Sequence, residues 1–218
     1  HSLSGVVPLG GFLVEHLWTN SSALGGKAEF DRAVGVIQAL PGLPLLEIAL
    51  IFVPLAFHAF YGIAIAKEGS VNVRAYPTAR NWAYLMQRAS GVLALAFVLG
   101  HLYEFRIKTA FFGMPSSAFY DTLALHLSST TFGIPLLAIG YIFGLLATTF
   151  HFGNGLVGFC ITWGLTPSKE AQKRVTFGAL GLGTLLFLLG TNTVIYFATG
   201  TALFVQEQKE SKVRCPDP

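Results

Sequence analysis

Four histidines, His16, His58, His101 and His151, stand in four different apolar runs of this 218-residue chain. A polar group inside a bilayer is costly to keep, so each is a functional candidate that should face protein rather than lipid. Two imidazoles facing each other from neighbouring helices suit a six-coordinate haem, one nitrogen on each side of the iron in an apolar slot. A proton relay uses the same residue type, and so does a zinc or copper transporter. A transporter would more often add carboxylates or thiolates, and only Glu15 and Glu104 lie near these histidines.

The elements that must position them are membrane helices. The run from Leu43 to Ala66 has 24 residues with Glu47 and His58 as its ionisable groups. At a rise of about 1.5 Å per residue it covers roughly 35 Å, enough for a bilayer core of about 30 Å. Hydrophobic residues make up 53% of the chain and charged ones 11%, against about 25% charged in soluble domains. The fold class is all-α and polytopic: five transmembrane helices, at about 2–21, 43–67, 81–105, 131–155 and 175–205, in one domain covering 1–218. Short linkers make successive helices antiparallel, giving a four-helix haem-binding bundle plus a fifth helix. Pro54 is the candidate for a kink one turn before His58, and 109–130 reads as a loop with a short surface helix. Trp18, Trp82 and Trp163 fall near span ends, in an interfacial belt.

Depth sorts the histidines into two layers. Each lies about 14 to 20 residues from the start of its helix, roughly 20 to 30 Å along it and nearer the far side. Because direction alternates, His16 falls level with His101, and His58 with His151. Small residues at helical spacing, Gly5 before His16, Ser90 and Ala94 before His101, and Gly140 and Gly144 before His151, leave room for a macrocycle edge or for close helix packing. Glu47 shares a face with His58 eleven residues away, about 16 Å, at the depth of the other layer. It is the candidate catalytic group, a carboxylate able to handle protons, with an interfacial carboxylate as the alternative.

Lysine and arginine set the orientation. The second linker holds Lys67, Arg74 and Arg80, and the fourth holds Lys169, Lys173 and Arg174; the first and third hold two cations each. The positive-inside rule then places the N-terminus in the cytoplasm and the C-terminus outside, against the pull of Lys209, Lys212 and Arg214. A net charge of +3, spread over loops, gives no support for nucleic-acid binding. Cys160 and Cys215 form no disulfide or metal framework, and His126 reads as a surface residue.

Five segments carry a family resemblance: HSLSGVVPLGGFLVEHL at 1–17, LPLLEIALIFVPLAFHAFYG at 43–62, RNWAYLMQRASG at 80–91, HLYEFRI at 101–107 and FHFGNGLVGFCITWG at 150–164. The chain resembles the five-helix, di-haem cytochrome b membrane-anchor subunits of type-B succinate dehydrogenases and fumarate reductases. The resemblance implies two haem b groups with axial pairs His16/His101 and His58/His151. It also places His1, Ser2, Trp82 and Arg88 near the propionates of the cytoplasmic-side haem and makes Glu47 a candidate for the quinone site; for Arg88 the alternative is a snorkelling cation. The implied partners are a flavoprotein subunit, an iron-sulfur subunit, a quinone, taken as menaquinone, and the lipid of a bacterial inner membrane. Electrons would run between the iron-sulfur partner and quinone, the dicarboxylate chemistry belonging to the other subunits. The chain has no dinucleotide fingerprint and no cysteine cluster for an iron-sulfur centre. The alternatives are a stand-alone transmembrane cytochrome b and a histidine-lined proton or metal transporter.

Overall fold

Proline, glycine and capping side chains decide where the helices of this chain bend and stop. The computed structural model describes residues 1–204, and among these every helix or strand assignment longer than a single bridge is helical. Helix α1 covers residues 2–21, with a π-helical turn at Gly5–Leu9 around Pro8. Helix α2 is Lys27–Gln38 and α3 is Leu43–Glu68, the latter with a π-helical turn at Ile48–Phe52 just before Pro54. A proline cannot donate to the turn before it, so the ladder loosens there. Helix α4 is Ala79–Phe112, α5 is Phe119–Ser128, α6 is Leu136–Thr162 and α7 is Lys169–Thr199.

Four of these, α3, α4, α6 and α7, are long and apolar enough to cross a membrane, where the sequence predicted five spans. The difference is α1, which holds Glu15, His16 and Asn20 together with several serines and glycines, and so falls short in apolarity. Several boundaries also move. The span predicted at 131–155 starts at Leu136, because Phe132 and Gly133 take positive φ values of 55° and 76° in a turn before Pro135. The span predicted at 175–205 begins at Lys169, where Ser168 caps it by accepting the Ala171 N–H at 3.1 Å, and stops at Gly200 with φ 75°. The predicted residue 205 lies outside the described residues, as do Cys215 and the C-terminal cations. Helix α4 outruns its predicted end at 105 and stops at Gly113, whose φ is 72°.

Helix α6 lies at the centre, with α4 along one side and α7 along the other, while α1 packs on α7 and α3 packs on the first half of α1. At one end of the bundle, α2 and α5 fold over the helix ends. Phe30 from α2 and Leu123 and Leu127 from α5 join Leu17, Leu145, Leu186 and Phe197 in the apolar core. The surface helix expected within 109–130 is α5, but α2 was not foreseen. Its KAEFDRAVGVIQ sequence is too polar for a membrane span and shows its apolar stripe only at helical spacing. Trp18, Trp82 and Trp163 are all exposed, as side chains of an interfacial belt would be.

Lys27 ties the two capping helices together, 3.1 Å from Asp121 on α5 and 3.2 Å from Asp31 on its own helix. The Asp121 carboxylate, with Asp31 adding to it, holds the Lys27 ammonium above its ordinary value of 10.5. A raised lysine contributes stability fully below that ordinary value and loses it as pH rises through the higher folded value. Replacing Asp121 with asparagine is therefore expected to lower the melting midpoint slightly at neutral pH, the pair being exposed, with the gap to wild type closing above pH 10.5. A gap that stayed constant into that range would show that the charge pair is not its source.

Candidate cofactor site

The helix rise and the packing of α4 on α6 bring the four histidines to one cavity of about 1550 Å³ lined by all of them. His16 on α1 faces His101 on α4 with ring centres 5.6 Å apart and planes at 79°. His58 on α3 faces His151 on α6 at 6.1 Å and 90°. A metal–imidazole bond is about 2.0–2.1 Å, which puts two rings trans on one metal at about 6 Å between centres. Both pairs have that separation. A single small-molecule pocket is about 300–1,000 Å³, so this cavity has room for more than one group.

Hydrogen bonds to main-chain carbonyls fix the tautomer of two of the four rings. Nδ1 of His151 lies 3.0 Å from the Gln87 carbonyl and Nδ1 of His58 lies 3.2 Å from the His1 carbonyl. A carbonyl only accepts, so each Nδ1 carries the proton and each Nε2 keeps a lone pair for a metal. Nδ1 of His101 is 3.3 Å from the Tyr141 hydroxyl, and His16 sits beside the Asn20 amide at 3.4 Å from Nε2. The His151 side is braced further. Asn154 Nδ2 donates to Gln87 Oε1 at 2.7 Å, and Gln87 Nε2 donates to the His151 carbonyl at 3.1 Å, which binds α4 to α6 at that level.

The small residues serve different histidines from those expected. A Cβ on Gly5 would stand 2.5 Å from Cε1 of His58, a ring of the other pair. Ser90 Oγ is 3.4 Å from Nδ1 of His151, and a Cβ on Gly91 would come within 2.8 Å of the same ring. The reason is arithmetic: eleven residues along a helix is about 16 Å, so a residue eleven before one histidine lies at the level of the other pair. Gly144 meets Phe97 instead, and Gly140 meets open space.

The remaining predicted residues divide. Ser2 and Arg88 line the cavity. Nε of Arg88 is buried with no partner among the described residues, while its guanidinium stacks 3.5 Å over Tyr84. Nη1 of Arg88 reaches the Tyr84 carbonyl at 3.4 Å, so the unpartnered Nε is the donor that an acidic substituent of a bound group would satisfy. Trp82 is half exposed and is not among the cavity-lining residues, whereas Ala83 and Tyr84, next along α4, are. His1 stacks on His58 with ring centres 4.0 Å apart. His126 is partly exposed, with its Nδ1 3.3 Å from Glu104.

Glu47 reaches the cavity at the level of His16 and His101, and it is not alone there. Both Nε and Nη2 of Arg106 donate to its Oε2, at 2.9 and 2.5 Å. Sequence reading missed Arg106 because the partners are 59 residues apart on different helices. Among the described residues, no three or more histidine, cysteine or acidic side chains converge as a metal cluster.

A protein 38% identical over 197 residues, which cover 90% of this chain and 94% of the relative, is the succinate dehydrogenase cytochrome b558 subunit of Bacillus subtilis (strain 168). No family model matches the chain, and no solved structure matches it.

Proposed function

Because the chain belongs to the family of succinate dehydrogenase cytochrome b subunits, we propose that it is a di-haem membrane anchor that moves electrons between an iron-sulfur subunit and membrane menaquinone. The observation that carries this reading is the set of four histidines, one from each of α1, α3, α4 and α6, standing in two facing pairs within one cavity. His16 with His101, and His58 with His151, would hold one haem b each. When bound, each haem supplies a reversible one-electron iron couple.

The chain's own residues do the rest. The His1 and Gln87 carbonyls fix the tautomer and aim of His58 and His151. Arg88 and Ser2 pair with the propionates on that side, and apolar rings around His101 keep water away, with Phe97 and Phe105 5.1 to 6.0 Å from it. Glu47, at the level of the other pair, holds or passes the protons that quinone chemistry requires.

Helix α1 lies beside the four spans and brings His16 to the cavity. The N-terminus lies in the cytoplasm, and the flavoprotein and iron-sulfur subunits dock at that end. Supporting this, Arg80 in the first turn of α4 donates to Gln172 in the first turn of α7 at 2.9 Å, which brings the ends of the two cation-rich linkers together. Lys27 and Asp121 gather the first and third linkers at the opposite end.

The test is haem stoichiometry in the complex purified with its partner subunits. Two haem b per chain and bands for both large subunits are expected. A complex with no haem, or with one, would overturn the di-haem reading.

A further inference from the structure

Helix α4 loosens into a π-helical turn at Tyr103–Ile107, directly after His101, and such turns recur at functional sites. That turn places Arg106 against Glu47, and Thr109 follows one turn along, also lining the cavity. Oγ1 of Thr109 is buried and has no hydrogen-bond partner among the described residues. A helical threonine ordinarily bonds the carbonyl one turn back, as Thr148, Thr149 and Thr162 do in α6. Leaving a buried hydroxyl unmade is costly, so its natural role is to bond something that the cavity receives. The Arg106 donors both fall on Oε2 of Glu47, which leaves Oε1 open to a further donor.

We propose that Arg106 and Thr109 complete the quinone site: the Thr109 hydroxyl donates to a quinone carbonyl, and Arg106 positions Glu47 so that Oε1 exchanges a proton with the ring oxygens. This rests on the quinone reading above and adds its residues. The balance is that of a two-electron couple. Reducing the two carbonyls to two hydroxyls takes two electrons, delivered one at a time from the reduced iron-sulfur partner through the membrane subunit, and two protons; the reverse releases both. Leu43, Ile51, Leu102 and Phe105 line the same part of the cavity and offer an apolar bed for the ring.

The experiment uses the assembled complex and follows succinate-driven reduction of 2-methyl-1,4-naphthoquinone, with haem content read from the reduced-minus-oxidised spectrum. Thr109→Val removes one hydrogen bond and is expected to raise the quinone KM about fivefold with kcat within about twofold. Arg106→Gln is expected to lower kcat about tenfold, and Arg106→Lys to recover part of it through a single contact to the carboxylate. All three keep both haems. Should the Arg106 variants fail to assemble, Thr109→Val still decides the matter, because it leaves no buried charge unpaired. Variants with wild-type KM and kcat, beside a wild type that reduces the naphthoquinone, overturn this inference alone. A wild-type complex with both haems that passes no electrons to the naphthoquinone overturns the quinone reading itself.

Discussion

His58→Ala and His101→Ala are each expected to lose one haem and to lose different ones. Each variant keeps about half of the reduced-minus-oxidised absorbance, because one layer stays intact. The two rings of a pair stand 5.6 or 6.1 Å apart, so removing one leaves the iron with a single protein ligand. Loss of an outer-sphere partner alone costs about 10–100-fold in metal affinity or activity. Loss of the ligand itself should exceed this, and electron transfer to quinone is expected to fall by more than about a hundredfold. His126→Ala is the control, since that ring pairs with Glu104 outside both layers, and it should retain two haems. If both variants lost the same haem, the pairing would be wrong. If neither lost one, the four histidines would have another task.

The second large effect concerns the seam between α6 and α7. A Cβ on Gly153 would meet the Ala179 carbonyl oxygen at 3.0 Å, and one on Gly183 would meet that of Thr149 at 3.1 Å. Backbone cannot move aside as a flexible side chain can, so Gly153→Leu forces the two helices apart. Overpacking of this kind costs about 1–3 kcal/mol, and this site is at the upper end because two helix backbones must shift together. The melting midpoint of the complex is expected to fall by several degrees. The His58/His151 layer should lose haem first, since His151 lies two residues before Gly153 on the displaced helix. Gly178→Ala supplies the contrast: nothing lies within 4 Å of its Cβ, and alanine favours a helix over glycine by about 0.5–1 kcal/mol. It should melt at or above the wild-type midpoint. A Gly153→Leu protein as stable as wild type would mean that α6 and α7 do not meet through backbone.

The sequence by itself determined the helical membrane class, one histidine on each of four helices, and their sorting by depth. Those properties follow from composition and a constant rise per residue, which need no knowledge of neighbours. Counting from helix ends also tolerated the boundary error at 131–155, because a shift of five residues, about 8 Å, is less than the separation of the layers. Apolarity served less well at α1, where His16, Glu15 and Asn20 lower the very signal by which a span is recognised.

Only the tertiary structure decided which group meets which. Gly5 serves His58, Ser90 and Gly91 serve His151, and Arg106 reaches Glu47 across 59 residues of chain. Each of these depends on the rotation of one helix against another, and the apolar residues of a membrane helix lie on all its sides, so periodicity does not report that angle. The amphipathic α2 and the hydrogen bonds from His58 and His151 to main-chain carbonyls were hidden for a related reason. A capping helix earns its apolar face from the core it covers, and a carbonyl acceptor is present at every residue, so only packing singles one out.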